Sequence, residues 1–450
     1  MCFGILADSW AERCGSSGSS RGAEHSSPPC GPARALRHQP HAELSYIMDT
    51  SALPEKTILF HREPSGVAYR IPALLYIQPT RTILAFAEKR ATTKDVDAKY
   101  LVMRRGHMAK DSVEWQCMVP IKTAVLPGYR TMNPCPVYDR DNQMVFLFFN
   151  CVRLHCTESY QILSGKNAAK LCFVTSKDSG ATWSQLTDLT TNVIGPDIVD
   201  WATFAVGPGH GIQLQCGRLI IPAYAYFKHR KCFCIPLPFC TKPHSLIFYS
   251  DDSGRTWHKG GVIQKLSTGE CEVAELACTD GACMLYCSAR TTQRCRAEAI
   301  SLDSGRDFGT VCLAKALCEP PHGCQGSIVS FLPPEEYLEM ENIIKGSVAS
   351  CTQKPLIQKN TLSWLIYSHP TNKKRRIDLG IYLNKSPLTQ GGWNHPLIIN
   401  KGPSAYSDLV AFDGSRSFGC LFECGGYDAY EEIAFQMFSI ENLIHSMPQC

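Results

Sequence analysis

Ser176-Lys-Asp178-Ser-Gly180-Ala-Thr182-Trp183 fits the pattern SxDxGxTW, and Ser250-Asp-Asp252-Ser-Gly254-Arg-Thr256-Trp257 fits it again 74 residues later. A third copy, Ser301-Leu-Asp303-Ser-Gly305-Arg-Asp307-Phe308, departs at its last two positions. The pattern has the chemistry of a hairpin turn. The aspartate can bond its own turn backbone, glycine supplies a positive φ, and the aromatic tucks into the sheet beneath. One copy would be an ordinary turn. Two full copies and a partial one are a repeated supersecondary unit, and each unit needs neighbours to bury its faces.

Outward from these repeats the texture is constant from about Glu55. Short β-branched and aromatic runs alternate with turn signals, at 69–77, 81–88, 144–152, 171–176, 211–226, 245–250, 284–290, 327–332, 363–368, 377–383 and 418–424. Many short strands with regular turns mean an all-β chain, and Asp boxes among them point to a β-propeller. Helical periodicity shows mainly at 440–446. Residues 54–450 read as the propeller, with 333–361 a polar surface insertion. Residues 1–53 read as a separate, disordered extension, since 13 of the 19 residues from Gly15 to Ala33 are Gly, Ser or Pro. Met48 could be an alternative start.

Composition excludes several classes. With 45 Lys and Arg against 41 Asp and Glu the net charge is only +4, too balanced for a nucleic-acid partner held by bulk charge. No apolar run reaches the ~18 residues of a spanning helix, and no signal peptide is evident, so an intracellular or peripheral-membrane location is expected. The 24 cysteines lie largely in apolar strand-like runs and read as reduced core residues. Cys232, Cys234 and Cys240 lack the paired spacing of a zinc site, and no metal or other cofactor is expected.

Asp boxes do not specify chemistry, but other motifs do. Tyr69-Arg70-Ile71-Pro72 precedes the boxes, and around them stand Phe86-Ala-Glu88-Lys-Arg90, Met132-Asn133-Pro-Cys-Pro136, Phe204-Ala-Val-Gly-Pro-Gly-His210, Ser288-Ala-Arg290, Gly323-Cys-Gln325-Gly-Ser327, Asp378-Leu-Gly380 and Tyr406-Ser-Asp408-Leu409. Across 56–447 the chain resembles the vertebrate cytosolic-type exo-α-sialidases, and among them the plasma-membrane-associated ganglioside-cleaving branch. The resemblance implies a six-bladed propeller that hydrolyses terminal sialic acids of glycoconjugates, gangliosides above all, with retention of configuration.

Sialic acid carries a carboxylate on its anomeric carbon, and a guanidinium fork grips such an anion best. The resemblance assigns that grip to Arg70, Arg290 and Arg376. Arg375 is adjacent, and spacing to Asp378 favours Arg376. A carboxylate nucleophile would face the substrate's own charge, whereas a neutral tyrosine avoids the repulsion but needs a base. By resemblance the nucleophile is Tyr406, its base Glu275, and the general acid Asp95, with Asp97 as alternative. Glu272 competes as base, although strand parity turns it opposite to Glu275. Asn133, Tyr224 and Tyr226 correspond to the N-acetyl and glycerol pocket, and Glu158 and Gln325 to contacts with polar substrate edges. Arg90 is expected as a fourth positive charge near the carboxylate, and Glu423 as the acid that orients Arg70. A sialoglycan-binding propeller without catalysis is the rival reading, and a scaffolding propeller a further one. Residues 227–240, with Lys228, His229, Arg230 and Lys231 before an apolar stretch, could meet a membrane surface.

Overall fold

The computed structural model describes residues 53–110, 112–229, 240–278, 283–337, 355–357 and 361–446. The chain divides into two units, Met1–Thr50 and Ser51–Cys450. The expected extension lies outside the described residues except for Leu53, as does much of the insertion at 333–361.

The strands form antiparallel meanders, each blade starting at its innermost strand. The first blade comprises Ala68–Ile77, Thr82–Arg90, Ala98–Ala109 and Ser112–Trp115, with Val119–Pro120 added on Ala98–Ala109. The second comprises Tyr129–Asp139, Met144–Arg153, Ala169–Ser176 and Thr187–Asp188. The third has Trp201–Val206, Leu219–His229, Cys240–Ser250 and His258–Val262. The fourth has Cys271–Ala277, Cys283–Ala289, Cys295–Ser301 and Thr310–Cys318.

The remaining seven strands make one continuous sheet that is two blades joined through the strand Leu397–Ala411. Its first part pairs with Ile377–Asn384 as the outer edge of the fifth blade, behind Ser327–Phe331 and Trp364–Pro370. From Ser404 it pairs with Ser417–Cys424 as the inner strand of the sixth blade. Glu432–Ser439 follows, and Thr57–His61 from the other end of the chain completes the sixth blade and closes the ring.

The Asp boxes are clamped alike. Ser176 Oγ donates to Asp178 Oδ1 at 2.8 Å and accepts from Gly180 N at 2.8 Å, while Thr182 N donates to the same carboxylate at 2.9 Å. The copies at Asp252 and Asp303 repeat this, the third without the threonine hydroxyl. The aromatic, expected to tuck into the sheet beneath, also reaches the preceding blade, and Trp257 Nε1 donates to Gly254 O of its own turn at 3.2 Å. Trp183 meets Phe86 at 6.1 Å between ring centroids, Trp257 meets Phe148 at 4.6 Å, and Phe308 shares a buried cluster with Ile220 and Ile247. Each box is thus an inter-blade rivet.

Two local expectations need correction. The run 211–226 is not one strand; it folds as Ile212–Gln213, a turn, and then Leu219–His229. A helix absent from the sequence reading, Glu158–Ser164, is started by Thr157, whose Oγ1 accepts from Tyr160 N at 3.0 Å, and is ended by Gly165 at φ 67. The terminal helix Ile440–His445 begins on a capping box between Ser439 and Asn442.

Candidate active site

The chemistry-bearing side chains gather near the first residues of the innermost strands, at one end of the ring. At Arg70 the strand bulges, and Ile71 takes a φ of 61, which is strained for a β-branched residue. The bulge turns Ile71 N onto Glu423 Oε1 at 2.9 Å, where Arg70 Nε also donates at 3.1 Å. The second oxygen of Glu423 accepts from Tyr406 N at 3.2 Å. One buried carboxylate, that of Glu423, therefore bonds both Arg70 and the backbone of Tyr406.

The Tyr406 hydroxyl donates to Glu270 Oε1, and Arg290 Nη1 donates to Glu270 Oε2 at 2.6 Å and to the tyrosine oxygen at 3.1 Å. The Arg70 and Arg376 guanidiniums each lie 5.6 Å from the centre of the Tyr406 ring. Burial and the Glu270 charge push the phenol well above its ordinary pKa, against the pull of Arg290 and Arg376. Arg375 is exposed and Arg376 faces the site, bonded to Tyr430 Oη at 3.3 Å and Gly323 O at 3.1 Å.

Glu275 is not the partner of Tyr406. Its carboxylate accepts from Gln215 N at 3.0 Å, on the opposite side of the strand Cys271–Ala277. Alternation explains the correction: Glu270 and Glu272 share a parity that points toward the ring's axis, and Glu275 has the other. Glu270 was detectable as the acid of that parity nearest the strand's start. Glu272 lies deeper, fully buried, accepting from Gln325 Nε2 at 3.3 Å and Ile328 N at 3.0 Å. Beside it His210 Nδ1 stands 2.7 Å from Asp408 Oδ1. Burial and Asp408 hold Glu272 well above the carboxylate range.

Gln325 is corrected as well. It is 2% exposed and spends its amide on Pro208 O, Glu272 and both backbone groups of Ser407, so it braces the strand beside Tyr406 instead of meeting substrate. Arg90 is completely buried. It is paired with Glu88 at 2.6 Å and bonded to Asp95, so its charge acts through Asp95 and does not line the pocket. Asp95 itself is half exposed, with Arg70 Nη1 3.8 Å away. Partial burial opposes its ionisation, but Arg90 and Arg70 hold its pKa below the ordinary value. Asp97 bonds Thr92 on the exposed loop and stands apart from this pair.

Asn133 sits on another bulge at φ 57, its N–H given to Glu88 at 2.6 Å. Tyr224 Oη reaches Glu158 at 3.4 Å, with the Tyr226 ring 6.2 Å from that of Tyr224. Burial first, then the charges of Asp95 and Glu270, raises Glu158 to about 7. Residues 230–239 and the Cys240 side chain, which carry the zinc alternative and most of the membrane segment, lie outside the described residues. Among the described residues no helix is long and apolar enough to cross a membrane.

Residues 81–418 match the BNR repeat-like domain family. The propeller resembles that of an intramolecular trans-sialidase from Ruminococcus gnavus, with a TM-score of 0.64 at 15% identity over 88% of this chain and 99% of that one. The Hadza microbial sialidase Hz136 gives 0.63 at 22% identity, over 86% and 68%. At these identities the likeness shows the fold alone. Sequence similarity is far stronger to Sialidase-3 of Bos taurus, 53% identical over 87% of this chain and 94% of its own. Sialidase-3 of Homo sapiens is 52% identical over the same shares, and Sialidase-4 of Mus musculus 40% over 89% and 96%. With half its residues shared along nearly the full length of such relatives, this chain belongs to the sialidase family.

Proposed function

We propose that the chain is an exo-α-sialidase that removes terminal sialic acid with retention of configuration. The observation that carries this reading is the Tyr406 phenol bonded to Glu270 and Arg290 among three arginines. The arginines receive the substrate carboxylate. As the tyrosine oxygen attacks the anomeric carbon, its proton passes to Glu270, so the phenol stays neutral until attack and does not repel the anion. Asp95 protonates the departing oxygen. Substrate carboxylate occupying the field of Arg70 and covering the loop raises the proton affinity of Asp95 from its resting, ionised state. Water activated by Asp95 then opens the tyrosyl–sugar bond, and Glu270 returns the proton to Tyr406. Two displacements give retention. Asn133, Glu158, Tyr224 and Tyr226 bind the sugar's polar arms.

Release of free sialic acid from a fluorogenic sialoside tests the reading, with early NMR spectra showing the α anomer first. Activity should vanish in Tyr406→Phe. No release by the unaltered chain would favour the binding-only propeller, and a β product would exclude the tyrosine route. For substrate in cells we propose gangliosides, reached by peripheral contact of 227–240 with a membrane. The basic and apolar residues of that segment, directly after Tyr224 and Tyr226, support this. Serine at Phe233, Ile235 and Phe239 should abolish flotation with anionic vesicles while sparing a soluble substrate.

A further inference from the structure

Arg290 and Arg376 are aimed by a backbone turn. Arg290 Nε and Nη2 donate to His322 O at 2.9 and 2.5 Å, and Arg376 Nη2 donates to the next carbonyl, Gly323 O, at 3.1 Å. His322 and Gly323 both adopt positive φ, 66 and 71. A histidine keeps that conformation only where its surroundings enforce it.

The enforcement comes from three buried polar side chains behind the turn, Glu319, Arg296 and His369. Glu319 Oε2 accepts from Cys324 N at 2.8 Å and stands 3.1 Å from His369 Nε2, while Glu319 Oε1 accepts from Arg296 Nη1 at 3.0 Å. Arg296 Nη1 also donates to Cys324 O at 2.9 Å, so both ends of residue 324 are held. His369 Nδ1 lies 2.7 Å from Pro370 O. Both ring nitrogens thus lie within hydrogen-bond distance of oxygen atoms. All three residues are at most 1% exposed, so none of them meets substrate. A buried ion network of this kind brings little net stability over an apolar core. Its geometric effect here is specific: it fixes the two carbonyls that orient two guanidiniums toward one point.

We propose that Glu319, with Arg296 and His369, is the positioning element that gives the site its selectivity for a carboxylate-bearing ligand. This rests on the sialidase reading. Arginines already aimed need not be ordered when the anion arrives, and preorganisation of that kind goes directly into affinity. A disordered turn would leave the pocket intact for the rest of the sugar but slacken its grip on the anion.

The test compares binding of the 2,3-unsaturated analogue of sialic acid with binding of its carboxamide, by calorimetry on the full chain. The unaltered chain prefers the acid. Glu319→Gln should cut affinity for the acid on the order of tenfold or more and leave the amide nearly unchanged. Gly323→Ala disturbs the same turn from the Arg290 side and leaves Glu319 unaltered, since its methyl would lie 2.8 Å from Arg290 Cγ and 2.9 Å from Nε; it should have the same selective effect. Acid preference retained in folded Glu319→Gln, or equal losses for acid and amide, would overturn the inference. So would failure of both variants to fold, which would assign the turn to the core. If the unaltered chain bound neither ligand, the sialidase reading would fall first, and the positioning role with it.

Discussion

Tyr406 has a single carboxylate as its proton acceptor, and that sets a contrast between two glutamates five residues apart. Glu270→Gln keeps a hydrogen bond to the phenol but cannot take its proton, so kcat should fall about 10²–10⁴-fold. Glu275→Gln only exchanges the acceptor for Gln215 N and should leave kcat within about twofold. Steady-state assay of both variants decides between them. Glu158 gives a second test. Its carboxyl is held up at about 7, so it is neutral below that pH and adds a negative charge to an anion-binding pocket above it. kcat/KM should therefore fall as pH rises through 7, and Glu158→Gln should flatten that fall. The same shift has a sign for stability. Between the ordinary 4.5 and about 7 the folded chain holds a proton that the unfolded chain has lost, so stability declines with rising pH in that window. Melting temperatures of the unaltered chain should drop from pH 5 to 7 more than those of Glu158→Gln. The three arginines and Tyr406 were legible because each stands in a distinctive motif. Glu270 was not, since the acidic run Glu270-Cys-Glu272-Val-Ala-Glu275 offers three carboxylates and only the position of the strand's start separates them. Gln325 and Arg90 were legible as site-associated but not as buried supports, because a motif does not show which side of the pocket wall a polar group occupies.

Among the elements, the Asp box shows why its glycine is irreplaceable. Gly254 has a φ of 80, and a methyl there would overlap the Phe146 ring of the neighbouring blade. The backbone conflict costs about 1–2 kcal/mol and the overpacking a further ~1–3 kcal/mol. Gly254→Ala should therefore destabilise the fold by about 2–5 kcal/mol, whereas Gly66→Ala, at φ 91 with open space around it, should show only the backbone share. Denaturant midpoints of the two variants separate space from conformation. The boxes made the hairpins readable from the chain. They did not reveal that the aromatics cross between blades, because a turn motif records local bonds and not the neighbour it is pressed against. The helix Glu158–Ser164 escaped notice because seven residues give barely two turns of periodicity, although Thr157 and Gly165 mark its ends.

For the whole molecule, the circle depends on the five residues of its first strand. Thr57–His61 is the outer strand of the last blade, and its Leu59 and Phe60 are each only 2% exposed. Burying two such side chains is worth about 3–6 kcal/mol, a large part of a total stability of ~5–15 kcal/mol. A chain begun at residue 62 should lose cooperative melting, while one begun at residue 51 should melt like the full sequence. Regular repeats and the family motifs made six blades legible. The strand shared by the fifth and sixth was not, because a hand-over between sheets leaves no break in the run 397–411. Closure by the first strand also imposes a timetable on synthesis. Thr57–His61 leaves the ribosome early, but its partner Glu432–Ser439 follows only after some 370 residues. At ~5–20 residues per second that wait is about 20–70 s. For that interval Phe60 can already pack on Tyr69 of the first blade, but Thr57–His61 has no strand to pair with, so its backbone edge stays open until the last blade arrives.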